Sequence, residues 1–319
     1  MKTLQTIRDL LARHRWVGPL VALAIVFSVF AAMLPGFTQP INLITMARQT
    51  AVVGIAATGA TLVIISGGID LSVGSSVALT TVVVSLLLKS GQGPWTAIPL
   101  AIVAAGATGA ANGALIAGLR LKPFIVTLGT MSILRGVAKG LAKEQKVDVD
   151  ARGIDSLVLS SEGLLGLPLA VWIFALTGLV IAGVLHFTRF GRHVFAIGSN
   201  ERTAVLAGIR VPLTKVAIYG LAGVLAGLAG TLEFATLTVG DPTDSFGLEL
   251  DVIASCVIGG ASLSGGEGSI AGTIVGALLM RVIQTGCTQL GLASFIQNIV
   301  TGAIIIAAAR LAADRKRRA

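Results

Sequence analysis

Long apolar stretches divide the chain, and most of them are close to the length that crosses a lipid bilayer. A hydrocarbon core of roughly 30 Å needs about 20 apolar residues in a helix. With 54% hydrophobic and only 12% charged residues among 319, the composition excludes a soluble domain. We therefore predict an all-α polytopic membrane protein that forms one transmembrane domain over residues 1–319. The predicted transmembrane helices, about ten and even in number, are Val17–Leu34, Arg48–Ser66, Leu71–Leu88, Trp95–Leu119, Pro123–Leu141, Pro168–Phe187, Pro212–Leu232, Leu250–Ala261, Ile270–Gln289 and Leu292–Leu311.

The distribution of Lys and Arg predicts how these helices are oriented. Basic residues concentrate in the connections that remain in the cytoplasm. With ten spans, 16 of the 24 basic residues fall on one side, in the two terminal tails, the link 119–123 and the region 189–215. Both termini are therefore predicted to be cytoplasmic. The opposite side receives the long connection Ala142–Leu167 and a short acidic connection that carries Glu233, Asp241, Asp244 and Glu249.

A charged island, Gly191–Gly208, lies between two apolar runs and reads GRHVFAIGSNERTAVLAG. Glu201 and Arg202 lie in its middle, and Arg189 and Arg210 flank it. Charges at this density are too costly for the bilayer core. The island is therefore predicted to lie at the cytoplasmic face, where another protein can bind it and move it.

Glycine is frequent, with 40 residues, and in a membrane bundle small residues allow helices to approach closely. Four G-x-x-x-G motifs fit this interpretation, at Gly109, Gly136, Gly223 and Gly272. The sequence also contains an internal repeat, whose two copies we call the echo segments. Gly67–Gly74 and Gly259–Gly266 are identical at five of eight positions, and such repeats are common in transporters.

Four residues are candidates for the translocation path: Asp70, Ser72, Arg135 and Asp251. Asp70 lies between apolar segments in SGGIDLSVGSS. Either it belongs to a broken helix that lines the path, with Ser72 beside it, or it caps the helix that follows a turn.

Arg135 and Arg281 fall within spans, so they face the bundle interior or reach for an interface. Asp251 is a candidate ion-pair partner for one of these arginines. Arg48 is predicted to lie at an interface.

Several kinds of chemistry lack support in the sequence. There is no GxxxxGK[ST] loop, no HExxH and no GxSxG, so ATP binding by a P-loop and these hydrolase sites are not expected. The three histidines do not cluster, and no metal site or catalytic residue is predicted. The net charge of +9 is attributed to membrane orientation, and no nucleic acid partner is expected, because no basic stripe with interleaved aromatic residues occurs.

Four blocks occur in a specific order along the chain. They are GGIDLSVGSSVALT (Gly67–Thr80), PFIVTLGTMSILRG (Pro123–Gly136), RFGRHVFAIGSNERTAVLAGI (Arg189–Ile209) and FGLELDVIASCVIGGASLSGGEGSIAGT (Phe246–Thr273). With these blocks the sequence resembles the permease subunit of ribose-type sugar ABC importers, from about Thr45 to the C-terminal tail.

The resemblance implies a permease bundle in the bacterial inner membrane that carries no cofactor and is not itself an enzyme. Two permease subunits, identical or related, would pair. An ATP-binding cassette subunit would hold ATP and Mg²⁺, and a periplasmic binding protein would deliver a ribose-like pentose, hexose or related polyol. Residues 189–211 would form a cytoplasmic coupling helix, with Gly191, Asn200, Glu201, Ala204 and Gly208 matching that segment. Transport would proceed by alternating access.

The sequence departs from that pattern at two places. Glu267 stands where a basic or apolar residue is more common, and TGCTQLG (Thr285–Gly291) lacks the asparagines often found there. These differences leave the identity of the sugar open. The alternative interpretation is a stand-alone secondary sugar transporter or facilitator. It explains the apolar spans and the repeat, but it gives the charged island no purpose, and the spans hold no chain of carboxylates for ion coupling.

Overall fold

The computed structural model describes residues 16–159 and 164–318. Apart from a ribbon of two short strands, the regular structure in these ranges is helical. The elements in chain order are α1 Val17–Met33, α2 Pro40–Ile65, α3 Val73–Lys89, α4 Pro94–Gly118, α5 Pro123–Leu141, β1 Val147–Asp148, α6 Ser156–Leu159, a 3₁₀ turn Leu164–Gly166, α7 Leu169–Phe187, α8 Arg189–Ser199, α9 Glu201–Leu206, α10 Val211–Leu237, β2 Val239–Gly240, α11 Leu248–Ile258, α12 Ile270–Gln289 and α13 Ser294–Arg318.

The predicted all-α membrane architecture is confirmed. Among the described residues, six helices are long and apolar enough to cross a membrane: α2, α4, α5, α7, α10 and α12. Shorter apolar helices occur at Val17–Met33, Val73–Lys89 and Ser294–Ala307. A helix overlaps each of the ten predicted spans, but α11 has only 11 residues. At 1.5 Å per residue it covers about 16 Å, roughly half of a hydrocarbon core.

Helix α2 occupies the centre of the bundle. Every residue from Thr50 to Ile65 is buried, and the helix contacts α10, α12, α11 and α7. Three of its threonines donate their hydroxyl protons to carbonyl oxygens one turn earlier in the same helix, at 2.7–2.8 Å. The polar groups of this helix are therefore satisfied largely from within it.

Glycine contacts join helices that are distant in sequence. A Cβ added at Gly109 would overlap the carbonyl oxygen of Tyr219, and one at Gly223 would overlap that of Ala105, so α4 and α10 pack backbone to backbone. Gly272 and Gly276 lie equally close to the end of α11. Three of the four predicted G-x-x-x-G motifs thus lie in helix contacts. The fourth does not, because added Cβ atoms at Gly136 and Gly140 meet nothing within 4 Å.

The helix connections gather on two faces. We call one the island face, because it contains the charged island. There, Gly198 of α8 contacts Gly266, which lies in one echo segment, and Ile65, which lies two residues before the other. The other is the ribbon face, where β1 and β2 pair antiparallel, with Val147 opposite Gly240. By these contacts, the connections after α2, α7 and α11 lie on one face, and those after α5 and α10 lie on the other. This agrees with the prediction that successive connections alternate between the two sides of the membrane.

Several predicted boundaries were wrong. Helix α2 begins at Pro40 rather than near Arg48, and α10 continues to Leu237 rather than ending at Leu232. Glu233 therefore lies inside a helix, although it was predicted in a connection. Arg48, predicted to lie at an interface, is the ninth residue of α2. The basic residues Lys2, Arg8, Arg13 and Arg15, on which the predicted orientation partly depends, lie outside the described residues.

Candidate functional site

A polar cavity of about 870 Å³ lies among α2, α10, α11, α12 and α13. Its wall includes two guanidinium groups, three carboxylates, and several amides and hydroxyls. The charged members are Arg48, Glu233, Asp244, Asp251 and Arg281. Four of these five side chains project from apolar helices, where an ionisable side chain normally faces a protein-lined or water-filled space. The cavity is therefore the leading candidate for a ligand site or a path through the bundle.

Hydrogen bonds between helices orient part of the cavity wall. Asp251 on α11 accepts a bond from the Gln284 amide on α12 at 2.9 Å. Arg281, also on α12, donates to the Gln49 side-chain oxygen on α2 at 3.4 Å. Two atoms are left over, because the Nε atoms of Arg48 and Arg281 are buried without a hydrogen-bond partner. A buried unpaired donor is costly, and both atoms are shielded from the cavity as well as from acceptors of the protein.

The sequence-predicted path residues lie in different places. Asp251 lines the cavity, whereas Asp70, Ser72 and Arg135 do not. One Asp70 oxygen accepts bonds from the Ser72 backbone N–H and hydroxyl at 2.8 and 2.6 Å. These bonds form a turn that leads into α3, whose N-cap residue Ser72 makes no side-chain capping bond, so Asp70 does not cap the helix directly. In addition, Asn112 of α4 donates to the Ser72 hydroxyl at 3.0 Å.

Arg135 supports the rim of the cavity without lining it. Its Nη1 atom donates to the backbone carbonyl oxygens of Pro242 and Asp244. The segment that follows, residues 244–248, lies in the cavity wall. It includes two residues with left-handed backbone, Ser245 and Gly247. Arg135 therefore fixes a loop with a strained conformation at the cavity rim. Of the two arginines predicted as partners of Asp251, it is Arg281 that interacts with it electrostatically.

The ribbon holds the same loop from its other end. Lys146 forms an ion pair with Asp241 at 3.0 Å, next to the β1–β2 pairing. Its hydrogen bond to this carboxylate raises the pKa of Lys146. Burial alone would raise the pKa of Asp241, but hydrogen bonds from Thr243 and Lys146 outweigh burial and lower it. Both groups are thus held in their charged forms.

The charged island and its flanks fold into two short helices, α8 and α9. The Thr188 hydroxyl caps α8 by accepting from the Gly191 N–H, and the Asn200 side chain caps α9 by accepting from the Thr203 N–H. Amphipathic spacing buries one side of this segment, namely Gly191, Val194, Ile197 and Ala204. The other side is exposed, and Leu206 projects with 88% of its surface accessible. With its neighbour Val205, which is 56% exposed, Leu206 gives this side of α9 an apolar surface between charged residues.

The buried side of the island contacts both echo segments. Gly191 lies against the backbone of Leu185, and Gly198 lies against the Ile65 carbonyl, with no room for a Cβ at either position. The Ile65 carbonyl also accepts a bond from the Gly266 N–H at 2.8 Å, while Gly265 lies against Gly67 and Gly198. The end of α8 is therefore in direct contact with the loops after α2 and after α11.

Glu201 connects α9 to the following long helix. Both of its carboxylate oxygens accept from the Lys215 ammonium, at 2.8 and 2.9 Å. Gly208 ends the segment with a positive φ of 80°, a conformation that suits glycine. The five predicted coupling residues thus all lie on α8, on α9 or in the turns that follow them.

Sequence reasoning missed part of the cavity. Glu233, Arg48 and Gln284 were not predicted to share a site, because each lies on a different helix and no local spacing connects them. The available signal was weak: each is an isolated polar residue beside or within an apolar run, which by itself marks a candidate site.

Comparisons with known proteins agree with this arrangement. The profile of a family described as the branched-chain amino acid transport system / permease component matches residues 42–309. The ribose import permease protein RbsC of Bacillus subtilis (strain 168) is 38% identical over 303 residues, which cover 95% of this chain and 94% of that protein. RbsC of Escherichia coli (strain K12) is 39% identical over 291 residues, 91% of each chain. The L-arabinose ABC transporter permease protein AraH of Azospirillum brasilense is 34% identical over 292 residues, 91% of this chain and 85% of that protein. No solved structure matches the chain significantly.

Proposed function

The chain belongs to the branched-chain amino acid transport system / permease component family, and on that premise we propose that it is the membrane-spanning subunit of an ATP-driven ABC importer of monosaccharides. Its relatives are ribose and L-arabinose permeases, which favours a pentose, hexose or related polyol as the substrate. The proposed location is the bacterial inner membrane, with ten crossings and both termini in the cytoplasm.

One observation carries the proposal: the end of α8 contacts the loops after α2 and α11 at a single junction around Gly198. Ile65 at this junction is the last residue of the central helix α2, and α11 and α12 both contact that helix. A movement of α8 would therefore reach the helices that wall the cavity. Close-packed contacts transmit displacement because protein interiors deform little.

In this proposal, residues 189–211 are the coupling segment, and the exposed side of α9 contacts the ATP-binding cassette subunit. That subunit holds ATP and Mg²⁺ and catalyses hydrolysis. A periplasmic sugar-binding protein supplies the substrate on the ribbon face, and a second permease chain completes the complex. ATP binding and hydrolysis would move α8 and switch the bundle between outward-open and inward-open states.

The four predicted path residues are given roles according to their positions in the fold. Asp251 lies on the cavity wall, so it is proposed to contact the sugar. Arg135 holds the rim loop and is proposed to position it during the switch. Asp70 and Ser72 lie just beyond the Ile65 junction, where they would connect the movement of α8 to the start of α3.

The test is purification of the chain from its native membrane in mild detergent, with mass spectrometry of the proteins that accompany it. We expect a stoichiometric P-loop ATPase with the wild-type chain, and its loss with Leu206→Asp. Leu165→Asp is the matched control, since Leu165 is 82% exposed on the ribbon face.

The purified complex is then reconstituted into liposomes with the periplasmic protein. ATP-dependent sugar uptake is the expected result. Sugar flux by this chain alone, without ATP or a partner, would instead establish the facilitator alternative and overturn the importer.

A further inference from the structure

We propose that each chain contains its own binding site for a neutral polyhydroxylated compound, formed in the cavity by Glu233 and Asp251 as acceptors and Arg281 as donor. This inference rests on the proposed function and goes beyond it, because it places a sugar site within one protomer and assigns its charge selectivity. The observations behind it are the charged side chains of the cavity wall and the hydrogen-bonding atoms that they leave unused.

Glu233 is the most informative of these residues. It lies within α10 and lines the cavity. Among the described residues its carboxylate accepts no hydrogen bond and forms no ion pair within 4 Å, although it interacts electrostatically with Arg281. An ionisable group within a membrane helix is costly unless it is solvated or bound. Because no described residue donates a hydrogen bond to it, the carboxylate can accept hydrogen bonds from a compound that occupies the cavity.

Asp251 and Arg281 offer complementary groups nearby. Asp251 uses one oxygen to accept from Gln284, which leaves its other oxygen available. Arg281 uses Nη1 toward Gln49, while its Nε is buried and unpaired. Among the described residues, no carboxylate of the cavity wall forms an ion pair within 4 Å with either arginine of that wall.

The balance of charge selects the class of ligand. The wall carries three carboxylates and two guanidinium groups, and Arg281 interacts electrostatically with both Asp251 and Glu233, so little net charge remains. An anionic ligand would face the carboxylates and a cationic ligand would face the arginines. A neutral polyol satisfies both sets at once, because each hydroxyl donates one bond and accepts others.

The size of the cavity agrees with this class. Small-molecule sites typically occupy about 300–1,000 Å³, and the cavity has about 870 Å³. Additional uncharged groups on its wall supply further hydrogen bonds to hydroxyls. They include Thr45, Gln49, Thr236, Gln284, Gln297 and Asn298.

The experiment measures binding of radiolabelled D-ribose, the probe chosen from the relatives, to the purified chain without its partners. D-ribose 5-phosphate and D-glucosamine serve as anionic and cationic competitors. We expect saturable binding at one ribose per chain, displaced by unlabelled D-ribose and not by either charged sugar. Removing a charged hydrogen-bond partner should weaken binding roughly ten- to hundredfold in Glu233→Gln, Asp251→Asn and Arg281→Gln.

Glu144→Gln is the control, because Glu144 is exposed in the connection after α5 and lies outside the cavity wall. It should bind D-ribose as the wild type does. Ribose binding that is unchanged in all three cavity variants, displaced by the charged sugars, or absent at millimolar concentration would overturn the proposed site.

Failure of the site is distinguishable from failure of the proposed function. ATP-dependent uptake by the reconstituted complex, with the cavity variants as active as the wild type, would reject the site and keep the importer. Absence of ATP-dependent uptake, with specific ribose binding that is lost in the variants, would reject the importer and keep the site.

Discussion

Gly198 lies directly against the carbonyl oxygen of Ile65, so the end of the amphipathic helix α8 contacts the last residue of the central helix α2. The same carbonyl accepts a hydrogen bond from Gly266. Three segments that are far apart in the sequence therefore meet at one backbone group. Any side chain at position 198 would separate them.

Gly198→Ala should reduce ATP-dependent sugar uptake strongly, because the added methyl group would displace α8 from the Ile65 backbone. Overpacking of this kind costs about 1–3 kcal/mol. The measurement is uptake by the reconstituted complex, with thermal unfolding as a second readout. Gly183→Ala in α7 is the control, since its Cβ meets nothing within 4 Å. Equal uptake by both variants would contradict the proposed role of the junction.

Glu201→Lys should uncouple ATP hydrolysis from uptake while the protein remains in the membrane. The substitution places a second ammonium group beside that of Lys215, which in the wild type binds both carboxylate oxygens of Glu201. Glu201 is 55% exposed, but the Lys215 side chain is only 14% exposed, so thermal unfolding of the variant is measured together with uptake to show that folding is preserved. Normal sugar uptake would refute the coupling assignment.

The double variant Glu201→Lys with Lys215→Glu separates two explanations for such a loss. Recovery of uptake would show that the ion pair itself positions α9. Continued loss would show that the carboxylate of Glu201 is needed on the exposed surface toward the partner.

Gly109→Ala and Gly136→Ala should behave differently, although both glycines begin G-x-x-x-G motifs. The first methyl group would overlap the Tyr219 backbone, whereas the second would enter open space. We expect Gly109→Ala to destabilise the chain by about 1–3 kcal/mol. Gly136→Ala should be neutral, or stabilising by up to about 1 kcal/mol through helix propensity. Thermal unfolding of the two variants in detergent provides the comparison, and equal midpoints would contradict the packing at α4.

The Lys146–Asp241 ion pair should stabilise the ribbon face over a defined pH range. Because the pKa of Asp241 is lowered, its contribution is present above the ordinary value of 3.8 and is lost as pH falls through the lowered pKa. Because the pKa of Lys146 is raised, its contribution is complete below 10.5 and is lost as pH rises through the raised pKa.

The melting temperature of Lys146→Ala should therefore lie below that of the wild type by a constant amount from about pH 5 to about pH 9. The difference should shrink below about pH 4. Lys89→Ala, which removes another basic residue from the same face, should show no such profile. A Lys146→Ala difference that persists undiminished in acid would rule out the ion pair as its source.

How far the sequence predicts this molecule depends on the kind of feature. The helices were predictable because an apolar run of bilayer length has few alternatives, and the island was predictable because its charges cannot enter the hydrocarbon core. The end of α10 was not, since hydropathy falls at Glu233 while the backbone hydrogen bonds of the helix continue to Leu237.

Long-range contacts also escaped prediction. Lys146 and Asp241 are joined only by the folded chain, and the loop carbonyls that bind Arg135 carry no sequence signature. Asp251 was identified because a carboxylate beside an apolar run is rare. Its neighbours across the cavity became visible only when α2, α10 and α12 were placed together.

The burial of α2 has a consequence for how the protein is made. This helix leaves the ribosome nearly 150 residues before its main neighbour α10 begins. At about 5–20 residues per second, that interval lasts roughly 7–30 s. During this time the future core helix must remain beside lipid or the insertion machinery. Its threonines already hydrogen-bond within the helix, so it can wait there without unsatisfied hydroxyls until later helices enclose it.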